Sequence, residues 1–384
     1  MKKEEATYWI ALAHLPRWGH LKINNLIIKF YHENKISIEE FFQLNENEWK
    51  DQYQLDEKQV FDLLQAKSEL ASNSFLAESL FSQGFEIIPI TSPEYSKTLK
   101  GNLKTAHAPA VLYVKGNKEI LEERSIAIVG SRNASEISLR FTDNIAKLAG
   151  KEFKVVVSGF AKGVDKQALD SAINYKGQSV IVLPQGIMTF DSGFKNYYRQ
   201  VIDGDVLVLS TFFPKAPWKA ELAMARNPII YGLADEIYVA ESAEKGGTWS
   251  GVVDGLRKGR KIYVRKPEPN EKNANNILIQ KGAIPVDSSG IELQENYYTP
   301  IEDHVSVSKE PTDNESLQAK VRAAFSGRPL SAKELLARLD LSWSAQKLNG
   351  YLKKLDFIEV VKEKNLKLYK LKGTTETTQT TLFV

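Results

Sequence analysis

Cysteine is absent from the 384 residues of the chain, which excludes disulfides, iron–sulfur clusters, zinc ribbons and thiol nucleophiles. The five histidines are scattered and form no HExxH or other metal-ligand spacing. No apolar run approaches the roughly 18 residues that a membrane span needs. The amino terminus, MKKEEATYWI, has acids where a signal peptide needs an apolar run. These absences predict a soluble, cytoplasmic protein with no metal, no other cofactor and no membrane partner.

Three motifs of nucleotide and acyl chemistry are also missing. The sequence contains no GxxxxGK[ST], so it is not a Walker-A ATPase. No GxGxxG follows the first predicted strand, and no GxSxG nucleophile elbow occurs. The sequence therefore predicts no catalytic residue and favours a binding protein over an enzyme.

The net charge of +3 conceals an uneven distribution. Residues 291–318 carry one basic and seven acidic side chains, whereas residues 319–372 carry 13 basic and five acidic ones. A basic segment attracts polyanions through counterion release. Solvated lysines on helix faces would give the same composition, so charge alone does not establish nucleic-acid binding.

The spacing of apolar residues divides the chain into a helical part and an α/β part. Residues 1–83 show helical spacing, with a turn predicted at Pro16–Gly19. Within residues 84–290, continuous apolar runs alternate with helical stretches, which predicts right-handed crossovers and a Rossmann-like parallel sheet. The predicted strands are 126–130, 155–159, 179–186, 206–210, 236–241 and 261–266.

The remaining residues are predicted to form a second, smaller domain. Residues 291–318 are polar and acidic and are typical of a linker. Residues 319–372 show three helical segments followed by two strands, the order of a winged helix. Residues 373–384 are Thr-rich and of low complexity, and we expect a mobile tail.

Three glycine-bearing loops follow the predicted strands. They are Gly130-Ser131-Arg132, Ser158–Asp165 and Lys245–Ser250. Glycine lets backbone N–H groups approach an anion closely, and the helix after each loop points its positive end toward it. Ligands of open parallel sheets bind at the carboxyl ends of the strands. These loops therefore predict an anion-binding edge with Arg132 and Lys162 as its cations, although glycines that only close tight turns would leave the same pattern.

The chain resembles the DNA-processing protein A family, also known as DprA or Smf, over nearly its whole length. The resemblance rests on successive segments in the family's order, together with the helical amino terminus and the winged helix. The segments are IAIVGSR (126–132), VVSGFAKGVDKQALDSA (156–172), VIVLPQG (180–186), ARNPIIYGLADEIYVAESAEKGGT (225–248) and NNILIQKGA (275–283).

This resemblance implies a single-stranded-DNA-binding recombination mediator. Such a protein protects incoming strands, loads a RecA-type recombinase and forms a homodimer through its Rossmann-like domain. Arg132, Lys162 and the pair Arg226-Asn227 match the family's DNA-contacting positions. Phe160 is expected either to stack on a base or to fill a helix–sheet contact. The full predicted site is Gly130, Ser131, Arg132, Ser158, Gly159, Phe160, Lys162, Gly163, Arg226, Asn227, Gly246, Gly247 and Thr248.

Several positions depart from the family's pattern. Pro228 replaces a second arginine, Thr211 replaces a glutamate, and Arg17-Trp18-Gly19 replaces a Gly-x-Gly turn. These departures leave transformation, repair and defence open as roles. A nucleotide-sensing Rossmann-like module in phage defence, with a DNA-binding winged helix, is the alternative hypothesis. For a hydrolase, Asp165 and Glu241 could form an acid pair, but Asp165 is more simply explained as the amino-terminal cap of its helix.

Overall fold

The computed structural model describes residues 1–293, 314–325, 328–339, 343, 345–353, 355–363 and 366–372. They fall into two compact units, one within residues 1–297 and the other within 298–384. Within these described ranges, every helix is too short or too polar to cross a membrane.

The amino-terminal part of the first unit is helical, as predicted for residues 1–83. Capping boxes at Ser37, Asn45 and Asp56 start three of the helices, because each side chain accepts the N–H of the third helical residue. The chain turns at Pro16–Gly19, and α2 continues as a π-helical segment, Ile28–Glu33. The helices are α1 Lys3–Ala13, α2 His20–Ile27, α3 Ile38–Gln43, α4 Glu46–Tyr53, α5 Glu57–Ser68 and α6 Leu70–Ser82.

A nine-stranded sheet forms the centre of this unit. Its order is β1-β2-β6-β5-β4-β3-β7-β8-β9. β1 and β2 are antiparallel to their neighbours, and all strands from β6 to β9 across the sheet are parallel. The strands are β1 Glu86–Pro89, β2 Val111–Lys115, β3 Ser125–Gly130, β4 Val155–Ser158, β5 Ser179–Val182, β6 Val206–Ser210, β7 Glu236–Glu241, β8 Ile262–Arg265 and β9 Ile284–Val286.

Helices cover both faces of the sheet. The helices are α7 Lys97–His107, α8 Glu136–Lys151, α9 Val164–Asn174, α10 Asp191–Asn196, α11 Tyr198–Ile202, α12 Ala220–Leu233, α13 Gly247–Arg257 and α14 Asn275–Gln280. Because successive strand residues point to opposite faces, Ile128 packs against α8 and α9, whereas Val129 packs on the face covered by α12 and α13. The second face shares its apolar core with Trp9 and Phe41, so the amino-terminal helices and the sheet form one body.

All six strands predicted in the α/β part are present. Three are shorter than predicted: β4 ends before Gly159, Leu183–Gly186 is a loop after β5, and β8 lacks the first and last predicted residues. Three further strands, β1, β2 and β9, lie outside the six predicted runs. β1 and β9 contain Pro89 and Pro285.

The second unit contains the three helices and two strands that the sequence predicted, and also a short strand between the first two helices. The elements are α15 Asn314–Ala324, β10 Leu330–Ser331, α16 Ala332–Leu339, α17 Ala345–Leu352, β11 Ile358–Glu363 and β12 Leu366–Leu371. Their sheet order is β10-β12-β11, and Leu335, Leu348 and Tyr369 are fully buried between sheet and helices. The predicted linker was too long, because α15 begins at Asn314 rather than after residue 318. The predicted tail, 373–384, lies outside the described residues.

Candidate functional site

The three glycine-bearing loops lie side by side because β4, β3 and β7 are neighbours in the sheet. Hydrogen bonds join the loop after β3 to the segments that follow β4 and β7. The Ser131 N–H donates to the Glu241 carbonyl at 2.9 Å, and the Val164 N–H donates to the Ser131 carbonyl at 3.2 Å. The Thr248 hydroxyl donates to the Gly130 carbonyl at 3.1 Å. These bonds bring the loops together at the predicted edge.

Gly163 permits the closest approach between two of these loops. Its φ is +83°, a conformation that side chains disfavour. A Cβ at this position would lie 2.4 Å from the Ser131 carbonyl oxygen and 2.6 Å from that of Arg132. The backbone next to Lys162 therefore rests directly on the backbone of Arg132.

Arg132 and Lys162 extend from this contact into solvent. Both side chains are exposed. Neither forms a hydrogen bond or an ion pair with any described residue. Two unneutralised cations thus project from adjoining loops, where a phosphate-bearing chain could contact both.

Arg226, in contrast, does not reach the surface. Its side chain is 3% exposed, and its Nη1 donates to the Val182 carbonyl at 3.1 Å. The same Nη1 lies 3.9 Å from Oδ2 of Asp165. Gly159 leaves room for the guanidinium, because a Cβ there would lie within bonding distance of it. The sequence grouped Arg226 with the DNA-contacting cations, whereas the structure places it beneath the loop that carries Lys162.

Asp165 is buried next to Arg226 and holds the same loop from inside. The backbone N–H groups of Ala161 and Gly159 lie near its carboxylate and favour its charged form. Burial raises the pKa of this carboxyl above its usual value, and the Arg226 charge and the two N–H groups act in the opposite direction. The expectation that Asp165 caps its own helix is wrong, because α9 has Gly163 at its cap position.

Glu241, the other candidate carboxylate, and Asp254, which lies in α13, also have structural partners. Glu241 Oε2 accepts the Ser135 N–H at 3.0 Å and the hydroxyls of Ser135 and Ser138, both at 2.8 Å. It therefore closes the amino end of α8. Asp254 pairs with Lys258 at 2.7 Å. Glu241 thus accepts hydrogen bonds from the start of α8, whereas Asp165 lies beside Arg226 under the loop after β4. The two carboxylates therefore have separate structural partners.

Phe160 belongs to an aromatic cluster. Its ring meets Phe190 edge-on at 5.0 Å between centroids and Tyr197 at 5.7 Å. Phe160 is partly buried and has φ +59°, which is unusual for a bulky residue. This packing corresponds to the alternative in which Phe160 fills a contact beside the sheet.

The remaining predicted residues shape the loops. Ser158 is buried and its hydroxyl donates to the Ile128 carbonyl at 3.1 Å. Gly246 has φ +100° and precedes α13. Asn227 is partly buried beside Gly247, where a Cβ would lie 2.5 Å from its Nδ2. Among the described residues, no group of three or more His, Asp or Glu side chains is placed to hold a metal ion.

The sequence analysis missed the loop after β6, which reaches the same edge. Trp218 in this loop is 55% exposed, and Lys215 and Lys219 are exposed beside it. Residues 211–219 contain no glycine, so the pattern of glycine-bearing loops does not mark this loop. The signal available was the segment PKAPWK (214–219), in which cations alternate with prolines and an aromatic residue.

Comparisons with known proteins give a consistent assignment. The family model "DNA recombination-mediator protein A" matches residues 86–295. DNA processing protein DprA of Streptococcus pneumoniae is 32% identical over 157 residues, which are 41% of this chain and 55% of that protein. Its Bacillus subtilis counterpart is 31% identical over 186 residues, 47% of this chain and 60% of that protein. The chain thus matches little more than half the length of these relatives.

A solved structure supports the same fold. The crystal structure of the Streptococcus pneumoniae protein superposes with a TM-score of 0.55 at 24% identity, covering 75% of this chain and 96% of that one. At this identity the superposition shows a shared architecture. The matched architecture is the mostly parallel α/β sheet with its flanking helices.

Proposed function

We propose that this chain, which belongs to the DNA recombination-mediator protein A family, binds single-stranded DNA along the carboxyl edge of its parallel sheet and delivers it to a RecA-type recombinase. One observation carries the proposal. Arg132 and Lys162 are exposed and without partners among the described residues, on loops packed backbone to backbone. Such cations bind phosphates without reading sequence, as a mediator that accepts any strand requires.

The buried pair beneath them gives this edge a fixed shape. Asp165 lies beneath the backbone N–H groups of Gly159 and Ala161, and the Arg226 guanidinium contacts both the Asp165 carboxylate and the end of β5. The loop with Lys162 is therefore preorganised, which reduces the conformational cost of binding. In this proposal Arg226 positions the loop, and Arg132 and Lys162 contact DNA.

The test is anisotropy of a labelled oligodeoxythymidine titrated with protein at several salt concentrations. Arg132→Ala and Lys162→Ala should each flatten the dependence of log K on log salt by about 0.7, the value for one phosphate of a single strand. The double variant should nearly abolish binding and leave the melting temperature unchanged, because both side chains are exposed.

Matched controls come from the opposite edge of the same sheet. Arg124 immediately precedes β3 and Lys151 lies in the last turn of α8 before β4, and both are exposed. Arg124→Ala and Lys151→Ala should leave both affinity and salt slope unchanged. The proposed site is wrong if the control variants weaken binding as much as Arg132→Ala does. Tighter binding of a mononucleotide than of the oligonucleotide would instead favour the nucleotide-sensing alternative.

We propose further that the protein acts by binding and not by hydrolysis. Glu241 and Asp254 are each committed to structural partners, and Asp165 lies beneath the loop with Arg226. We expect no release of phosphate from ATP and no cleavage of nucleoside monophosphates. Turnover that disappears in Asp254→Asn or Glu241→Gln would contradict this.

The partner proteins and the second unit complete the proposal. We infer a cytoplasmic homodimer formed through the sheet-bearing unit, and a winged helix in residues 314–372 with an auxiliary part in binding. Light scattering of the purified protein measures the oligomeric state, and strand exchange on coated single-stranded DNA measures recombinase loading. A chain truncated after residue 313 should keep more DNA affinity than the Arg132→Ala, Lys162→Ala double variant.

A further inference from the structure

The loop between β6 and α12 is held rigidly against the loop after β5. Within it, the Ala216 N–H donates to the Phe213 carbonyl at 2.8 Å, which closes a turn. The Gly186 N–H donates to the Ala216 carbonyl at 2.8 Å, and the Met188 N–H donates to the Pro214 carbonyl at 3.0 Å. The two loops therefore share a ladder of backbone bonds.

Aromatic packing fixes the same loop from the other side. The Phe213 ring lies edge-on to His14 at 5.4 Å between centroids, and His14 stacks on Tyr113 of β2. The His14 Nε2 is 2.8 Å from the Tyr113 hydroxyl. The loop thus has a defined position relative to both the sheet and the amino-terminal helices.

Trp218 projects from this fixed loop with more than half of its surface exposed. Its side chain is 55% exposed, although it lies between the anchored Ala216 and the start of α12. Among the described residues it makes no ring contact, and its indole N–H has no hydrogen-bond acceptor. Because the loop that carries it is fixed, the exposed indole presents a stacking surface that is already ordered before a ligand binds.

Cations flank Trp218 on both sides. Lys215 and Lys219 are exposed, and neither forms an ion pair with a described residue; Glu221 is the one acidic side chain in the adjoining turn of α12. Two lysines around one exposed aromatic residue are suited to a ligand that alternates flat rings with negative charge. Single-stranded nucleic acid has this character, because bases stack on aromatic rings while the phosphates meet cations.

The position of Trp218 extends the edge that carries Arg132 and Lys162. β6 is separated from β4 by β5 alone, so the ends of β6 and β4 are about 10 Å apart. α12 begins two residues after Trp218 and contains Met224. The Met224 sulfur would lie 3.4 Å from a Cβ placed on Gly247. The first turns of α12 therefore border the loop before α13, and the surface is continuous from β6 to β7.

We propose that Trp218 stacks on a base of bound single-stranded DNA and that Lys219 and Lys215 contact its phosphates, so that the strand crosses the sheet edge from the loop after β3 to the loop after β6. This inference rests on the proposed function and adds a base-contacting subsite to the phosphate-contacting one. Because every base has a flat face, the subsite adds affinity without sequence preference.

The experiment compares two probes that differ only in their bases. One is an oligodeoxythymidine and the other is a strand of equal length made of abasic sugar-phosphate units. Trp218→Ala should weaken binding of oligodeoxythymidine about tenfold, within the range for loss of one base–aromatic stack, and should not change binding of the abasic strand. Trp218→Phe should restore most of the affinity, since a smaller aromatic ring still stacks.

The salt dependence separates this subsite from the phosphate contacts. Trp218→Ala should leave the salt slope at the wild-type value, whereas Lys219→Gln should flatten it by about 0.7. Tryptophan fluorescence gives an independent measurement. Oligodeoxythymidine should quench the wild-type emission, and Trp218→Phe should lose most of that quenching although the five other tryptophans remain.

The control is Phe153→Ala. Phe153 is 89% exposed in the turn before β4, at the opposite edge of the sheet, and its removal should not affect either probe. Wild-type affinity of Trp218→Ala for oligodeoxythymidine would overturn the inference while Arg132→Ala still tests the proposed function. Equal loss on both probes would also overturn it, because the effect would then come from the loop and not from a base. Failure of the wild-type protein to bind either strand would refute the proposed function itself.

Discussion

Replacement of Arg226 by Met tests whether the buried pair is structural. Met has similar length and no charge, so Arg226→Met removes the guanidinium without leaving a large cavity. Asp165 would then remain near the backbone N–H groups of Ala161 and Gly159 but lose the guanidinium that lies 3.9 Å from its Oδ2. The Val182 carbonyl would lose the hydrogen bond that Nη1 donates at 3.1 Å.

The expected loss of stability is about 3 kcal/mol, the lower end of the range for breaking a buried pair. The lower end applies because Nη1 and Oδ2 are 3.9 Å apart and because the Arg226 Nε has no hydrogen-bond partner among the described residues. Adding Asp165→Asn should recover about 2 kcal/mol, since a neutral amide of the same shape replaces the buried carboxylate that has lost its cation. The two changes should therefore be strongly non-additive.

The loss should also depend on pH in a defined direction. Removing the positive neighbour raises the pKa of Asp165 further above its unfolded value near 4. An acid whose pKa is raised by folding stabilises the protein when protonated, and this contribution is lost as pH rises through the folded-state pKa. Arg226→Met should therefore be closer to wild type near pH 4 than at pH 7.

Urea unfolding followed by tryptophan fluorescence measures these differences, because five of the six tryptophans lie in residues 1–293. Wild-type stability of Arg226→Met within about 0.5 kcal/mol, which is the usual range for surface substitutions, would refute the structural role. Failure of Asp165→Asn to restore stability in the double variant would show that the loss came from packing and not from an isolated carboxylate.

Three further outcomes follow from the same contacts. Gly163→Ala should destabilise the protein more than Gly246→Ala in thermal melts. Both changes strain a backbone of positive φ by about 1 to 3 kcal/mol, but only at Gly163 would the new Cβ also meet backbone oxygens, at 2.4 and 2.6 Å. Glu241→Gln should cost about 1 to 2 kcal/mol in urea unfolding by weakening the bonds to Ser135 and Ser138, and equal stability would contradict its role in α8. Burial and the nearby His20 charge lower the pKa of His14 to about 4, so wild-type stability should fall as pH drops from about 6.5 toward 4, and His14→Gln should flatten this fall.

The sheet could be predicted where its strands are buried on both faces. Runs such as residues 126–130 and 206–210 are continuously apolar because helices cover both sides of the sheet. The strand order could not be read, because the positions of β6 and β7 on opposite sides of β3 depend on packing between distant segments. Strands with proline, such as β1 and β9, lack the apolar continuity that marked the others.

The site could be predicted to the level of loops but not of individual side chains. The rule that ligands bind at the carboxyl ends of parallel strands correctly brought the Arg132 and Lys162 loops together. The sequence did not predict which arginine side chain is buried, because Arg226 and Arg132 both accompany glycine-bearing loops. Only the fold shows that the space left by Gly159 is filled by the Arg226 guanidinium.

This distinction between the two arginines has a consequence for DNA binding. Arg226 and Asp165 carry opposite charges, so the Asp165→Asn, Arg226→Met double variant leaves the net charge beneath the loop unchanged. If Arg226 acts only by holding the loop, this double variant should bind oligodeoxythymidine within about twofold of wild type with the same salt slope, whereas Arg132→Ala loses about one phosphate contact. A flatter salt slope in the stable double variant would show that a strand reaches the buried guanidinium. In that case the loop over Gly159 must open when DNA binds.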